Sequence, residues 1–365
     1  MMNPTDLKQI TSKGISEEQI NRQLEEFKLG FPYLKLEAAA TPTKGIVLMS
    51  GEEQEKVCNS WKTYQSGNHR VVKFVPASGA ASRMFKDLFA FLNGVNQEPA
   101  NDFEREFFDN IHDFAFFNEL NQKCEQNEGK SVDELMKEGD YKLIVDTLLN
   151  IRGLNYGQLP KGLLSFHKYD DGVRTPIEEH LVEAALYAAS NKQAYVHFTI
   201  SHEHLELFKQ KVTEKIAQYE AKYDVKLNVS YSEQKPSTDT IAVNPDNSPF
   251  RNDDGSLLFR PGGHGALIEN LNDLEADIVF IKNIDNVVPD RLKKETIDWK
   301  MVIAGKLVEL QKQTFEYLHL LDKGCYTRTE LEEILSFLQH NLFCESSEAK
   351  TLDDNALAQY LYDKL

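Results

Sequence analysis

A run of small residues, PASGAASRM at 76–84, directly follows an apolar stretch at 71–75. Small side chains let backbone amides approach an anion, and a helix that starts there adds partial positive charge. The run therefore predicts a phosphate-binding loop between a buried strand and a helix. It matches neither GxxxxGK[ST] nor GxGxxG, so the usual P-loop and dinucleotide motifs are not indicated. Close packing of the loop against a neighbouring element is the alternative explanation.

A second polar position follows another apolar stretch. Asp285 comes shortly after residues 278–281, IVFI, which predict a buried strand. In open α/β sheets, ligands bind beyond the carboxyl ends of parallel strands, so Asp285 is a candidate ligand-binding carboxylate. A turn-capping role is the alternative for this aspartate.

Composition limits the kind of ligand. The 365 residues include 41 Lys and Arg against 58 Asp and Glu, which gives a net charge of −17. Such a chain repels polyanions, so we expect no nucleic acid partner, and a phosphate can bind only where local cations, amides or a metal reverse the field. The four cysteines are far apart, and no run of about 18 apolar residues occurs, so we expect a reduced, cytoplasmic chain with no membrane segment.

The elements that position these residues follow from caps and periodicity. Ser16 with Gln19, and Ser50 with Glu53, predict two capped helices within a helical lead, residues 1–69. Residues 89–158 show phenylalanines three or four apart, which predicts a packed helical insertion; a ligand box made of these rings is the less common alternative.

The remaining strands and helices alternate. Thr175 followed by Pro176 and Glu178 predicts a capped helix start, and residues 195–200, 227–231 and 278–281 predict strands. Alternation of this kind is typical of a mostly parallel sheet. The sequence thus predicts an α/β domain at 70–290 that contains the insertion, and a helical C-terminal segment at 291–365.

Three histidines lie near one another in the sequence, where a metal cluster is one possible use of them. His197, His202 and His204 surround the sequence FTISHEH, but the spacing of the last two does not place them on one helix face. We therefore expect no zinc site here.

Four segments resemble sugar nucleotidyltransferases, the nucleotide-diphospho-sugar transferase (GT-A-like) superfamily. PASGAASRM resembles their LAGGxGTRM loop, and LPKGLLSFH at 159–167 resembles their Pro-Lys segment. RPGGHGALIENL at 260–271 is similar to the PPGHGD stretch of UDP-sugar pyrophosphorylases, with Ala266 in place of the aspartate. IVFIKNIDNVVPD at 278–290 resembles the strand and NxDN segment that binds magnesium in those enzymes.

The resemblance implies a role for each matching residue. Arg83 and Lys161 become the expected catalytic cations and Asp285 the Mg²⁺ ligand. Independently of the resemblance, Lys282 is a further cation that can offset phosphate charge. The implied contacts to the nucleotide and its phosphates come from Ala77, Ser78, Gly79, Ala80, Ala81, Ser82, Gln234, Gly262, Gly263, His264 and Gly265.

The resemblance also implies a fold and an activity. The expected fold is a Rossmann-like three-layer nucleotidyltransferase fold, and the whole pattern resembles a bacterial family catalogued as domain of unknown function 4301, which is grouped with these transferases. The expected reaction joins a nucleoside triphosphate such as UTP to a sugar 1-phosphate, with Mg²⁺ and release of pyrophosphate. A GT-A-like glycosyltransferase and a catalytically inactive nucleotide-binding protein stay open, as does the question whether further catalytic parts follow residue 365.

Overall fold

The computed structural model describes residues 2–36, 38–42, 44–79, 81–344, 346 and 348–365. The chain forms two compact units: Met1–Pro32 with His69–Lys293, and Tyr33–Asn68 with Lys294–Leu365. The predicted domain limits, 1–69, 70–290 and 291–365, stay a prediction.

The described residues form 14 α-helices and nine strands. The helices are α1 (Pro4–Ser12), α2 (Glu17–Leu29), α3 (Gly51–Ser66), α4 (Lys86–Asn93), α5 (Asp102–Asp109), α6 (Phe117–Glu128), α7 (Val132–Glu138), α8 (Tyr141–Leu149), α9 (Pro176–Tyr187), α10 (Leu205–Tyr223), α11 (Ile268–Asn272), α12 (Asp290–Asp322), α13 (Arg328–Asn341) and α14 (Asp354–Lys364). The strands are β1 (Val71–Pro76), β2 (His167–Tyr169), β3 (Gly172–Arg174), β4 (Ala189–Ser190), β5 (Gln193–Thr199), β6 (Lys226–Ser232), β7 (Thr240–Ile241), β8 (Phe259–Arg260) and β9 (Ile278–Ile281).

The predicted helix starts are confirmed. Reciprocal capping boxes begin α2 at Ser16, α3 at Ser50 and α9 at Thr175. Helix α1 was not predicted, although Asn3 caps it by accepting hydrogen bonds from the amides of Thr5 and Asp6. Its short amphipathic run carries little periodicity, and the cap is the clearer mark of its start.

The central sheet is mostly parallel, as predicted. Strands β6, β5, β1 and β9 lie side by side in that order and are all parallel, while the two-residue β4 pairs antiparallel with β5. The four parallel strands are the four predicted from apolar runs. The short hairpins β2–β3 and β7–β8 were not predicted, because two or three residues are too few to show an alternating pattern.

One face of the sheet packs against α9 and α10. Alternate residues of β5, among them Val196 and Phe198, point into a core that Ile177 and Leu181 of α9 and Phe208 of α10 complete. This packing fixes the strand ends and therefore the loops that leave them.

The predicted helical insertion is confirmed as helices α4–α8. Its phenylalanines form a separate core with Leu120, Ile144 and Leu148. Beyond residue 290 the chain is helical, as predicted, and Leu331, Ile334 and Leu357 form the core of α13 and α14. None of the described helices has the length and apolar content that crossing a membrane requires.

Candidate functional site at the ends of β1 and β9

The 76–84 loop leaves the carboxyl end of β1. The Ala77 amide donates to the Thr199 carbonyl at 2.8 Å, so Ala77 is buried and its N–H is already used. The amides of Ser78 and Gly79 donate to no acceptor within the described part of the chain, and both residues are exposed. A Cβ at Gly79 would meet nothing within 4 Å, so a ligand has room to approach this backbone. Ala80 lies outside the described residues.

Lys161 lies next to this loop despite the 70-residue insertion between them. The Lys161 amide donates to the Gly79 carbonyl at 3.3 Å, and the Ala81 amide donates to the Leu159 carbonyl at 3.3 Å. The Lys161 ammonium donates to Asp285 Oδ2 at 2.5 Å. The structure therefore brings together the loop, Lys161 and Asp285.

Asp285 is held beside the loop by an extension of the β1–β9 pairing. The amides of Lys282 and Ile284 donate to the carbonyls of Phe74 and Pro76, each at 3.1 Å. Asp285 follows at once, with 36% of its side chain exposed, against 23% for Lys161. Both charges thus reach solvent, where a ligand can compete for them.

The carboxylate of Asp285 stands apart from other metal-binding groups. Within the ranges that the structure describes, no three His, Cys, Asp or Glu side chains are grouped so that they could hold a metal ion. A cation at Asp285 would therefore take most of its ligands from water and phosphate oxygens. That donor set is typical of Mg²⁺ and not of Zn²⁺.

Within the loop, Ala81, Ser82 and Arg83 form a single 3₁₀ turn in which Ser82 and Arg83 are exposed and Ala81 is buried. Arg83 forms no ion pair with any residue that the structure describes. Lys282 does not share this freedom, because its ammonium lies 2.7 Å from Glu183 Oε1. Lys282 therefore already pairs with a protein carboxylate, which it shares with Lys73.

Gln234 and the glycine loop form a second cluster near the end of β6. Gln234 Nε2 donates to the Gly262 carbonyl at 3.2 Å. A Cβ at Gly262 would lie 2.9 Å from Ala266 Cβ, so close packing alone requires this glycine. Gly263, His264 and Gly265 are exposed. Because β6 and β9 are separated by three strand spacings, the two clusters lie about 14 Å apart along the sheet edge.

A buried charge group under the sheet was missed by the sequence reasoning. Lys73 of β1 and Glu183 of α9 are both 0% exposed and lie 2.7 Å apart. Tyr187 donates to the same carboxylate at 3.0 Å. Burial raises the pKa of Glu183, but the charges of Lys73 and then Lys282 more than offset this effect and lower the pKa to about 2. A lysine inside an apolar strand run was the available signal, because a buried ammonium requires a buried partner.

His180 connects this group to the segment that carries Asp285. Its ring is fully buried, and burial followed by the charge of Lys73 holds the pKa of His180 well below its usual value. The neutral ring lies with Nε2 3.1 Å from the Ile284 carbonyl, which can accept its hydrogen. His180 thus fixes the residue that precedes Asp285.

A further network holds the end of the same segment. Glu179 is 0% exposed and contacts His167 Nδ1 at 2.8 Å, the Tyr169 hydroxyl at 2.5 Å and the Lys293 ammonium. Arg174 binds Asp290 at 2.8 Å. Residues 282–293 are therefore anchored to α9 and its neighbours at both ends, which orients Asp285 before any ligand arrives.

The three histidines at 197, 202 and 204 have separate partners. His197 lies in the sheet between the hydroxyls of Ser230 and Ser232, each at 2.8 Å. His202 pairs with Glu233, and His204 contacts the Ser201 hydroxyl.

A family model described as "Domain of unknown function (DUF4301)" matches residues 3–365. The chain therefore belongs to this family. No curated protein and no solved structure matches it.

Proposed function

We propose that this member of the DUF4301 family is a magnesium-dependent nucleotidyltransferase that joins a nucleoside triphosphate to a sugar 1-phosphate and releases pyrophosphate. The observation that carries the proposal is the meeting of Lys161, Asp285 and the 76–84 loop. They meet at the carboxyl ends of β1 and β9, where strand order reverses and open α/β sheets bind their ligands.

The sheet topology supports a Rossmann-like three-layer fold for this activity. In chain order the parallel strands are β1, β5, β6 and β9, and their spatial order is third, second, first, fourth. Doubly wound nucleotide-binding sheets begin with this order.

The site supplies what two phosphate-bearing substrates require. Two like charges 4 Å apart repel by about 4 kcal/mol at an effective dielectric constant near 20. The amides of Ser78 and Gly79, which have no acceptor among the described residues, can donate to a phosphate, and Lys161 and Arg83 can offset its charge. A bound Mg²⁺ would supply further neutralisation of phosphate oxygens, with Asp285 as its protein ligand.

Ligand binding at this site requires an exchange of partners. Lys161 neutralises Asp285 in the absence of a ligand. A cation held by Asp285 would replace Lys161 as the partner of this carboxylate, and the Lys161 ammonium could then donate to a phosphate. Attack of a sugar phosphate oxygen on the α-phosphorus then needs positioning and charge stabilisation but no covalent enzyme intermediate.

The glycine loop supplies a second point of contact for a long ligand. Gly263, His264 and Gly265 expose backbone at the same sheet edge as Asp285. A nucleotide that spans the two clusters would place its phosphates at Lys161 and its other end near Gln234 and the glycine loop.

The test is a thermal-shift panel of nucleoside triphosphates, UTP among them, with and without Mg²⁺. It is followed by measurement of pyrophosphate release with a set of sugar 1-phosphates. We expect Mg²⁺-dependent stabilisation of the wild-type chain, and loss of that stabilisation in Asp285→Asn and Lys161→Ala. Lys192→Ala is the matched control, because Lys192 forms an exposed ion pair with Asp224 far from the loop.

Each alternative has its own outcome. Transfer of sugar from a nucleotide sugar without pyrophosphate would assign a glycosyltransferase, and Mg²⁺-dependent binding without turnover would assign an inactive nucleotide-binding protein. If nucleotides stabilise both site variants as strongly as the wild type, the assignment of Lys161 and Asp285 is wrong.

A further inference from the structure

The helical insertion contains a cavity of about 710 Å³. Its walls include Phe85, which directly precedes α4, Leu88 of α4, Phe107 of α5, and Phe116 and Tyr156. Ligand pockets usually measure about 300–1,000 Å³ and are lined mainly by apolar and aromatic side chains. The cavity has the size and lining of a binding site.

Aromatic pairs hold the walls in place. The ring centroids of Phe107 and Phe114 lie 5.3 Å apart, those of Phe114 and Phe116 lie 5.0 Å apart, and those of Phe116 and Tyr156 lie 5.7 Å apart. Phe103 and Phe114 are 43% and 36% exposed, so the rings continue from the interior to the mouth. The phenylalanines of the insertion therefore both pack a core and leave an accessible apolar space.

Except for the exposed Glu106 carboxylate, for which the described residues provide no partner, the polar groups of the cavity already have partners. Tyr156 accepts from the Ser165 amide at 3.1 Å, and Ser165 donates from its hydroxyl to Glu119 at 3.1 Å. Burial, with the charge of Glu119, raises the pKa of Tyr156 to about 12, so this hydroxyl stays neutral. Asn110 donates to the Glu106 carbonyl at 2.8 Å. A sugar or a base would leave polar groups unpaired here, whereas a hydrocarbon would not.

Both walls continue into the two segments that border the phosphate site. Met84 and Phe85 directly follow Arg83, and Leu164 and Ser165 follow Lys161 by three and four residues. Three residues of extended chain span at most about 10 Å. Arg83 and Lys86 are exposed and form no ion pair with any described residue. Arg83 and Lys86 adjoin the lining residues Met84 and Phe85 in the chain, so they can attract an anionic group at this end of the cavity. The Glu106 carboxylate in the wall would repel an anion placed beside it, which favours a phosphate on the Arg83 side.

We propose that this cavity binds the hydrocarbon chain of an alkyl or prenyl phosphate whose phosphate lies toward Arg83 and Lys161. The position of the phosphate rests on the proposed function, whereas the binding of the chain does not. A dry apolar cavity of about 150 Å³ accommodates benzene, so this one has room for a chain of roughly ten to twenty carbons.

The experiment measures dissociation constants for hexyl, octyl and decyl phosphate by calorimetry, below their micelle concentrations, on the full chain. Burial of each methylene should tighten binding about three- to fourfold. Inorganic phosphate and decyltrimethylammonium should bind at least tenfold more weakly than decyl phosphate. Equal affinities across the alkyl series would overturn the proposal.

Substitutions in the cavity test where the hydrocarbon of decyl phosphate binds. Ala115 lines the cavity and is 9% exposed. Ala115→Phe should therefore fill the cavity and lower the affinity for decyl phosphate at least tenfold. Ala90→Phe, on the exposed side of α4, is the matched control and should leave the affinity unchanged. Should Ala115→Phe fail to fold, Phe103→Glu places a charge at the exposed mouth and should weaken binding as strongly. Decyl phosphate affinity that survives in the folded variant would contradict the proposal.

The same variants separate this inference from the proposed function. Ala115→Phe should leave the thermal shift with Mg²⁺ and UTP unchanged, because it does not touch Lys161 or Asp285. If nucleotides give no shift while decyl phosphate still depends on Ala115, the cavity proposal stands and the nucleotidyltransferase proposal fails. Arg83→Gln should weaken the binding of decyl phosphate but not that of decanol. Equal changes in the two dissociation constants would overturn the position of the phosphate.

Discussion

Two clusters of paired charges lie next to strands β1 and β9, one buried and one partly exposed. Lys73, Glu183 and Lys282 lie under the sheet, where the first two are 0% exposed. Lys161 and Asp285 lie at the sheet edge, 23% and 36% exposed. A buried pair cannot change partners without leaving an unpaired charge in a medium of low dielectric constant. A partly exposed pair can exchange its partner for a ligand at little cost.

The buried group and the exposed pair therefore have different roles. The buried group joins β1, α9 and residue 282, and so stabilises the fold beneath the site. The exposed pair lies next to amides without acceptors among the described residues and is free to respond to a ligand. Substitutions in the two groups should therefore affect different measurements.

The largest expected effect is on the buried group. Glu183→Gln removes the carboxylate that Lys73 and Lys282 share, and so takes away the negative charge that lies 2.7 Å from the buried Lys73 ammonium. We expect the free energy of unfolding, measured by urea denaturation, to fall by about 3–5 kcal/mol. Asp298→Asn, in the exposed pair with Lys294, is the control and should change it by less than about 0.5 kcal/mol. Equal effects of the two substitutions would remove the basis of the comparison.

The stability of the protein should fall at acid pH because the buried carboxylate of Glu183 becomes protonated. The pKa of Glu183 is lowered from its usual 4.5 to about 2, so its ionised form favours the folded state. Its contribution is complete above about pH 4.5 and is lost as the pH falls toward 2. Urea denaturation at several pH values in this window should show a steeper loss of stability for the wild type than for Lys73→Met/Glu183→Leu. Parallel curves would mean that the pair contributes nothing to acid sensitivity.

A smaller effect is expected where the two regions connect. His180→Phe removes the ring nitrogen that contacts the Ile284 carbonyl, which should cost about 1–3 kcal/mol of unfolding free energy. Because Ile284 precedes Asp285, the Mg²⁺-dependent thermal shift with nucleotide should also decrease. His197→Phe is the control. This histidine is buried in β5 between two serines of β6, so its loss should lower stability but keep the nucleotide shift. A nucleotide shift that survives in His180→Phe would show that this histidine does not position Asp285.

The smallest effect on stability is expected at the exposed pair. Asp285→Asn should change the free energy of unfolding by less than about 1 kcal/mol, because solvent replaces much of the interaction. The same variant should lose the Mg²⁺-dependent part of nucleotide binding, which calorimetry with and without Mg²⁺ measures. A loss of stability as large as that of Glu183→Gln would make this pair structural and remove it as a ligand site.

Local patterns in the sequence determined much of the fold. The apolar runs at 71–75 and 278–281 predicted β1 and β9, and the box of Thr175, Pro176 and Glu178 predicted the start of α9. These predictions succeed because strand burial and helix capping depend on residues close together in the chain. The same local reading placed a small-residue loop after β1 and an aspartate after β9, which are two of the three parts of the candidate site.

Only the tertiary structure decided which distant residues meet. Lys161 and Asp285 are 124 positions apart, and Lys73 and Glu183 are 110 apart. No local pattern encodes such a pair, because its partners are chosen by the order of the strands and by the packing of α9 on the sheet. The sequence by itself therefore determined the elements and the residue types at their ends. Only in the folded chain do Lys73 and Lys282 share the buried carboxylate of Glu183. Folding likewise pairs Lys161 with Asp285, which a ligand can reach.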